Sequence, residues 1–594
     1  MTHTFRSLLN RLNFRKSIQL AWSVSGRLTI TTVSLLVLEN LFWMGSVYML
    51  KRLVDVVAVP GVSERHDELL EAIVIAGLIS IGYACARSLS VYVSELQATR
   101  VNHFVDEKIH RHSIQLDYGF YEDPEYLDVL KRAREAGVDK PYAVVKSLFD
   151  IVKQFIALMA IGYILISIDW ILLPLLAVFV LPILIGRILF SNRGYLLYMQ
   201  NTGHERKAHY LSSLMTADPF AKEVRTFSLG QYLLAKYVKI RENIMRQQLV
   251  LNRQRTINEL LTTGLGTAGF FAVTAYIIFG TLSGQTSVGD IAMFLVVFPQ
   301  SYSIMQGLVG SITALYHNNM YVAHIFELFA LEPRIEKNRG TSVRINENEG
   351  LLIDNVSFRY PHGKENVLED ITLEVPEGRI VAIVGMNGAG KTTLIKLLCR
   401  LYEPGSGVIR FLGNDIRNYD PSEYRKKISV VFQDFVRYNL TVSENIRFGD
   451  LDKNPSPEAV KQAAEHAGAG GFISSLGHGY DTVLGRLFDD GHEVSIGQWQ
   501  KLAIARAFYS DSKLVILDEA TSSLDVVAET ELFSSFRTRI GRRSALVISH
   551  RLSTIRQADH IYVMADRRIA ESGTHEELMQ RKGLYASLYE NSKQ

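Results

Sequence analysis

The segment GMNGAGKTT, Gly385 to Thr393, sets Gly385 and Gly390 five residues apart and follows them with Lys391, Thr392 and Thr393. That spacing is the phosphate-loop pattern. Through Asn387, Gly388 and Ala389 the backbone can curl so that its N–H groups converge on an anion, at the start of a helix whose first N–H groups face the same way. Lys391 is then in reach of the β and γ phosphates, and the Thr392 hydroxyl is placed to bind Mg²⁺. A second constellation, Asp518-Glu519, ends the run KLVILDE. Asp518 would hold the Mg²⁺ through water, and Glu519 would polarise an attacking water as general base. Together these residues point to hydrolysis of a nucleoside triphosphate.

Chemistry of this kind needs elements that hold it still. The apolar run RIVAIVG predicts a strand into the glycine loop, and LIKLLCRLY predicts the helix leaving it, which is the context the motif requires. Further β-rich runs, LLIDNVSF, KISVVFQ, KLVILDE and SALVISH, alternate with helical stretches and predict an α/β domain with a largely parallel sheet over residues 350–594. An acidic pair at a strand end is ordinarily a solvated terminus. At the carboxyl end of a buried parallel strand, downstream of a phosphate loop, it lies where such sheets bind ligands. The polar, unpatterned residues 332–349 are expected to be a linker.

Upstream, the texture is different. Between Glu259 and Glu327 the only Asp, Glu, Lys or Arg is Asp290, and Leu260–Leu282 and Ile291–Tyr316 each exceed the ~20 residues that cross a bilayer as a helix. Weaker spans lie at Leu28–Leu50, Leu69–Val93, Ile151–Ile168 and Ile171–Leu189, the last two separated by Asp169-Trp170. Residues 1–331 therefore predict an all-α bundle of six transmembrane helices. Arg6, Arg11, Arg15 and Lys16 precede the first acidic residue, Glu39, and place the N-terminus in the cytoplasm; Lys51 and Arg52 run against that rule. The two long cytoplasmic connections contain breaks at Asp117–Arg134 and Thr216–Phe227. In each, Pro124 or Pro219 follows an Asp and suits the start of a short transverse helix. Glu39, Asn40 and Arg87 fall at membrane depth, where a Glu39–Arg87 pair and a substrate contact are both open readings.

Composition removes other classes. A net charge of +3, from 64 basic and 61 acidic residues, argues against a mainly nucleic-acid-binding protein. Two cysteines, Cys85 and Cys399, provide neither a disulfide framework nor a cysteine-rich metal site.

Motif by motif, residues 350–590 resemble the nucleotide-binding domain of ATP-binding cassette (ABC) transporters, and the whole chain resembles an exporter-type half-transporter. Tyr360, in VSFRYP, matches the aromatic that stacks on adenine. Gln433, in VVFQD, matches the glutamine that contacts Mg²⁺ and the attacking water. VSIGQ, with Ser495, Gly497 and Gln498, matches the signature that reaches the γ-phosphate of ATP held by the other subunit. Asp525, closing SSLD, matches the loop joining the two sites, and His550, in VISHR, matches the switch histidine. The resemblance implies a homodimer, with a heterodimer open, that binds ATP and Mg²⁺ in a bacterial cytoplasmic membrane and works by alternating access. It implies export of an amphipathic peptide or hydrophobic compound. A lipid or lipid-linked glycan flippase of the same fold is the alternative, and an ATP-gated regulatory protein a further one, against which the presence of Glu519 and His550 argues.

Two departures stand out. The signature is usually LSGGQ, and here Ile496 replaces the first glycine; a β-branched side chain resists positive φ and adds bulk near a phosphate. Just upstream, LGRLFDDGHE (Leu484–Glu493) is longer than the family's usual segment. The text FYEDPEYLDVLKRAREAG is similar to the matching loop of bacterial peptide and lantibiotic exporters and leans the cargo toward peptide. Fewer than 30 residues precede the first span and none is Cys, so no leader-cleaving cysteine-peptidase domain is expected.

Overall fold

The computed structural model describes residues 14–58, 66–137, 139–335, 346, 348–361, 363–522, 526–534, 536–549 and 551–591. The chain divides into two compact units. One is residues 1–116 and 124–332; the other is residues 117–123 and 333–594.

The first unit is built from long helices: Phe14–Ala58, His66–Gln115, Lys140–Ile168, Leu172–Thr216, Gly230–Leu282 and Val288–Phe329. Among the described residues five stretches are long and apolar enough to cross a membrane, namely Trp22–Ala58, His66–Gln115, Lys140–Ile168, Gly230–Leu282 and Val288–Phe329. The remaining expected span, Ile171–Leu189, falls in the Leu172–Thr216 helix. At 1.5 Å per residue, the 50-residue His66–Gln115 helix extends ~75 Å, far beyond a ~30 Å hydrocarbon core.

Local chemistry explains where these helices start and stop. At Ser25 the first helix leaves helical geometry (φ −164°, ψ 90°), and the Ser25 hydroxyl accepts from Leu28 N–H, the first residue of the expected span. Asp169 closes the tight turn between the third and fourth spans: its carboxylate accepts from Ile171 N–H at 3.0 Å and its carbonyl from Leu172 N–H at 3.1 Å. Ser287 and Asp290 form a capping box at the start of the last long helix. Asp290 also meets Lys51 at 2.5 Å, so one of the two cations that oppose the positive-inside expectation is neutralised by the one acid of the apolar region. Short helices occupy both expected breaks, as Tyr118–Tyr121 with Pro124–Gly137, and as Asp218–Thr226. The pairing considered for Glu39 is corrected. Buried Glu39 binds Lys153 Nζ at 2.7 Å, 114 residues away, and Arg87 is exposed.

The second unit carries two sheets. Strands β1 (Leu351–Phe358), β2 (Leu368–Val375), β4 (Ser406–Phe411) and β5 (Asn414–Asp415) form an antiparallel sheet in the order β2-β1-β4-β5. Strands β3 (Ile380–Gly385), β6 (Ile428–Val431), β7 (Leu514–Asp518), β8 (Ser544–Ile548), β9 (His560–Ala565) and β10 (Arg568–Gly573) form the other, in the order β10-β9-β3-β8-β7-β6. All pairings in it are parallel except β9 with β10. Every residue of β3, β7 and β8 is buried, as expected for central parallel strands covered on both faces. The helix Lys391–Leu398 packs Leu394, Ile395, Leu397 and Leu398 into a core shared with Ile353 of β1 and Ile516 of β7. Core packing on both sides therefore fixes the direction in which its N-terminus points.

Candidate active site

The site lies at the carboxyl ends of β3, β6, β7 and β8. The segment after β3 turns through Gly388 (φ +83°) and Gly390 (φ +99°) into the Lys391–Leu398 helix. Gly390 is required twice over. Its φ is left-handed, and a Cβ there would lie 2.6 Å from Leu368 Cδ2 and 3.0 Å from the Val367 carbonyl. Asn387 and Gly388 are exposed at the tip, and Ala389 is buried beneath them. Thr392 is exposed on the first turn, and Thr393 is buried with its hydroxyl 3.1 Å from Tyr360 Oη.

Lys391 is buried and folds back over its own loop, donating to the carbonyls of Gly385 at 2.7 Å and Met386 at 3.0 Å. Burial lowers its pKa against the opposing pull of Glu519 and Asp518. Asp518 is 2% exposed and its Oδ2 has no hydrogen-bond partner. Burial first, and then the charge of Glu519, raise its pKa to about 6, while Lys391 and a hydrogen bond with Thr392 pull it back. Glu519 stands at φ +46°, held there by backbone bonds from its N–H to Ile548 O, 2.9 Å, and from Ser522 N–H to its own carbonyl, 3.1 Å. Its carboxylate accepts from Gln433 Nε2 at 2.8 Å. Thus Lys391, Thr392, Asp518, Glu519 and Gln433 come together around one small volume. The buried, unpartnered Asp518 oxygen beside a hydroxyl suits a hard divalent cation, which takes oxygen ligands. Among the described residues no group of three or more His, Cys, Asp or Glu forms a metal cage.

The strained balance at Asp518 yields a prediction. A carboxyl whose folded pKa is raised contributes stability that is complete below about pH 4 and lost as pH rises through about 6. Asp518→Asn removes that loss, so the nucleotide-free variant should melt a few degrees above the wild type at pH 8 and level with it at pH 4. Scanning fluorimetry at both pH values checks this; equal melting at pH 8 would contradict it.

Tyr360 is half-buried, edge-on to Phe358 (5.0 Å) and Tyr402 (5.3 Å), with Lys396 Nζ 5.6 Å from its ring. Ser495 is the N-cap of the Ile496–Tyr509 helix, with a full capping box to Gln498. Ile496 and Gly497 both lie within the first turn of that helix, and neither has positive φ. The expectation of backbone strain at Ile496 is therefore corrected: its exposed side chain adds bulk only. Asp525 and His550 lie outside the described residues.

Two positioning residues carry no sequence signature. Glu529 is 1% exposed and accepts from Thr521, Thr554 and Arg551, while Arg551 donates to Ser522 O, so the segments flanking residues 525 and 550 are braced together. Glu122, next to the Tyr118–Tyr121 helix, meets Lys396 Nζ and Tyr402 Oη, each at 2.5 Å. Burial alone would raise the Glu122 pKa, but these two hydrogen bonds hold it below the ordinary range. Lys396 and Tyr402 flank Tyr360, so one carboxylate of the 117–123 segment is linked to the predicted adenine pocket.

The family model described as ABC transporter matches residues 368–522, from β2 through the acidic strand end. Over 83% of this chain and 80% of that protein, the sequence is 34% identical to the subtilin transport ATP-binding protein of Bacillus subtilis. The chain belongs to the ABC transporter family. Over 97% of this chain and 96% of the relative, it is 27% identical to the nisin transport ATP-binding protein of Lactococcus lactis subsp. lactis. The solved structure of a bacterial Atm1-family ABC exporter with ATP bound superimposes with a TM-score of 0.78, covering 96% of this chain and 98% of that one at 24% identity, which establishes the fold. This ABC protein is thus an exporter with a helical membrane domain and a C-terminal ATPase, and it couples ATP hydrolysis to transport.

Proposed function

We propose that this ABC exporter works as a homodimer in a bacterial cytoplasmic membrane, with its ATPase domain in the cytoplasm, and exports an amphipathic peptide. The observation that carries the cargo class is the likeness, over most of the chain, to two proteins named for transport of subtilin and nisin. Thr392, Gln433 and Asp518 would hold Mg²⁺, which when bound neutralises charge on the β and γ phosphates. Lys391 leaves the Gly385 and Met386 carbonyls for the phosphates, Tyr360 stacks on adenine, and Glu519 takes a proton from the attacking water while Gln433 orients it. Ser495, Gly497 and Gln498 open a 14-residue helix whose N-terminal N–H groups suit an anion, here the γ-phosphate on the partner chain. Asp525 joins the two sites and His550 holds the γ-phosphate in the same reading.

Switching a bundle from 1:99 to 99:1 takes ~5.5 kcal/mol of differential binding, within the reach of two nucleotides clamped by charge-assisted hydrogen bonds. Because Ile496 sits in an unstrained helical turn, Ile496→Gly should leave turnover unchanged or raise it through lost bulk near the phosphate. Steady-state ATPase assays decide this, and a collapse of turnover would contradict it.

ATPase activity in lipid nanodiscs, against a panel of amphipathic peptides and lipids with Glu519→Gln as the blank, tests the cargo. Stimulation by peptide that vanishes in the blank is the expected result. Turnover raised by lipid and indifferent to every peptide would replace this reading with a flippase.

A further inference from the structure

Inside the helical unit, the Leu172–Thr216, Gly230–Leu282 and Val288–Phe329 helices line a half-open cavity of about 490 Å³. That volume is within the ~300–1,000 Å³ range of sites that enclose small ligands, so it admits a short piece of a peptide rather than a folded one. Close packing shapes one wall: at Gly186 a Cβ would lie 2.3 Å from Asn258 Nδ2, so no larger residue fits there unless Asn258 moves. Phe190 and Val309 supply an apolar surface.

The charges in this cavity do not balance. Arg255 Nε donates to Glu259 Oε1 at 3.1 Å, while Arg187 stands 3.9 Å from the same oxygen, beyond hydrogen-bond distance. Arg187 Nε is buried with no hydrogen-bond partner. Two guanidinium groups thus face one carboxylate, and the less satisfied of them is in a place where an unpaired polar group is costly. A planar fork of N–H donors matches a carboxylate with two parallel bonds. Asn252, Asn258 and Asn318 also line the cavity, and each side-chain amide offers both donors and an acceptor. A peptide backbone needs both, because its N–H and C=O groups must be paired when buried. A phosphate headgroup needs donors only.

We infer that this cavity binds a carboxylate of the peptide cargo, with Arg187 as its principal partner and the three asparagines pairing the adjoining backbone. The inference rests on the peptide reading above and adds the group by which the cargo is recognised. Arg187, Arg255 and Glu259 sit where the fourth and fifth spans meet their connecting segment, so the site would be met early by cargo entering from that side.

Fluorescence anisotropy with the full-length protein in zwitterionic nanodiscs tests it. The probe is a dansylated amphipathic hexapeptide with a free C-terminal carboxylate as its only acid, compared with its C-terminal amide. The acid should bind at least tenfold more tightly than the amide. Arg187→Gln should bring it down to the amide's level, with Arg187→Lys between them, while each variant still shows an ATP-induced thermal shift. Equal binding of acid and amide to the wild type, undiminished binding by Arg187→Gln, or no binding of either would overturn the inference, as would displacement of the peptide by phosphatidic acid added to the disc. If acid and amide stimulate ATPase equally, peptide export stands and the carboxylate site falls. If the acid binds through Arg187 yet no peptide stimulates turnover, the site stands and the export reading falls.

Discussion

Glu519→Gln is expected to lower ATP turnover by about 10²–10⁴-fold, the range that a general base contributes, with ATP binding retained. The substitution keeps size and shape and removes the proton acceptor. It also leaves the backbone at φ +46° with the same restraints, because the bond from residue 519 N–H to the Ile548 carbonyl involves no side-chain atom. The contact from Gln433 Nε2 to the carboxylate can persist to an amide oxygen, so the local geometry should hold. Single-turnover hydrolysis alongside nucleotide binding in nanodiscs separates the two steps. Turnover reduced less than tenfold would remove Glu519 as the base. Loss of binding along with turnover would assign it a structural role instead.

The residues that sequence patterning located best are those whose signal is local. The continuous apolar runs of β3 and β7 are buried throughout, and the motif glycines occur where left-handed φ and close approach demand them. The breaks at Pro124 and Pro219 both begin helices, since a proline at the first turn gives up an N–H that has no intrahelical partner. What stayed illegible is pairing across long separations. Lys153 meets Glu39 over 114 positions and Glu122 meets Lys396 over 274, and neither partner has a spacing that announces the other. Glu529 was hidden for a different reason: an acidic residue on a short helix reads as solvated until burial shows it bonded to three groups. The signature departure was misjudged in kind. Glycine in the family at this position suggests a backbone constraint, but Ile496 follows the Ser495 cap as the first residue of the helix and has no positive φ.

Glu122 shows how much function depends on such unannounced contacts. Its two partners stand on either side of the end of the helix that follows the phosphate loop, and both touch Tyr360. Movement of the 117–123 segment therefore has a short physical route, of packed rings and one ion pair, to the base-stacking residue.

Lys391→Ala should weaken ATP binding by about 10–100-fold, corresponding to the ~1.5–3 kcal/mol of a hydrogen bond to a charged group. Lys391 donates to two carbonyls of its own loop, so binding exchanges two charge–dipole bonds for contacts with phosphate, and the net gain is smaller than a bare lysine–phosphate attraction would suggest. The variant has a second effect. Lys391 is the cation that draws the Asp518 pKa down, so removing it should leave Asp518 protonated to higher pH than about 6. Because a protonated Asp518 offers a poorer oxygen to a divalent cation, the affinity deficit should widen as pH falls from 8 toward 6. Titrations with a fluorescent ATP analogue at both pH values, with and without Mg²⁺, separate the two effects. A deficit that is independent of pH and Mg²⁺ would confine Lys391 to direct phosphate contact, and unchanged affinity would mean that its bonds to Gly385 and Met386 are its whole role.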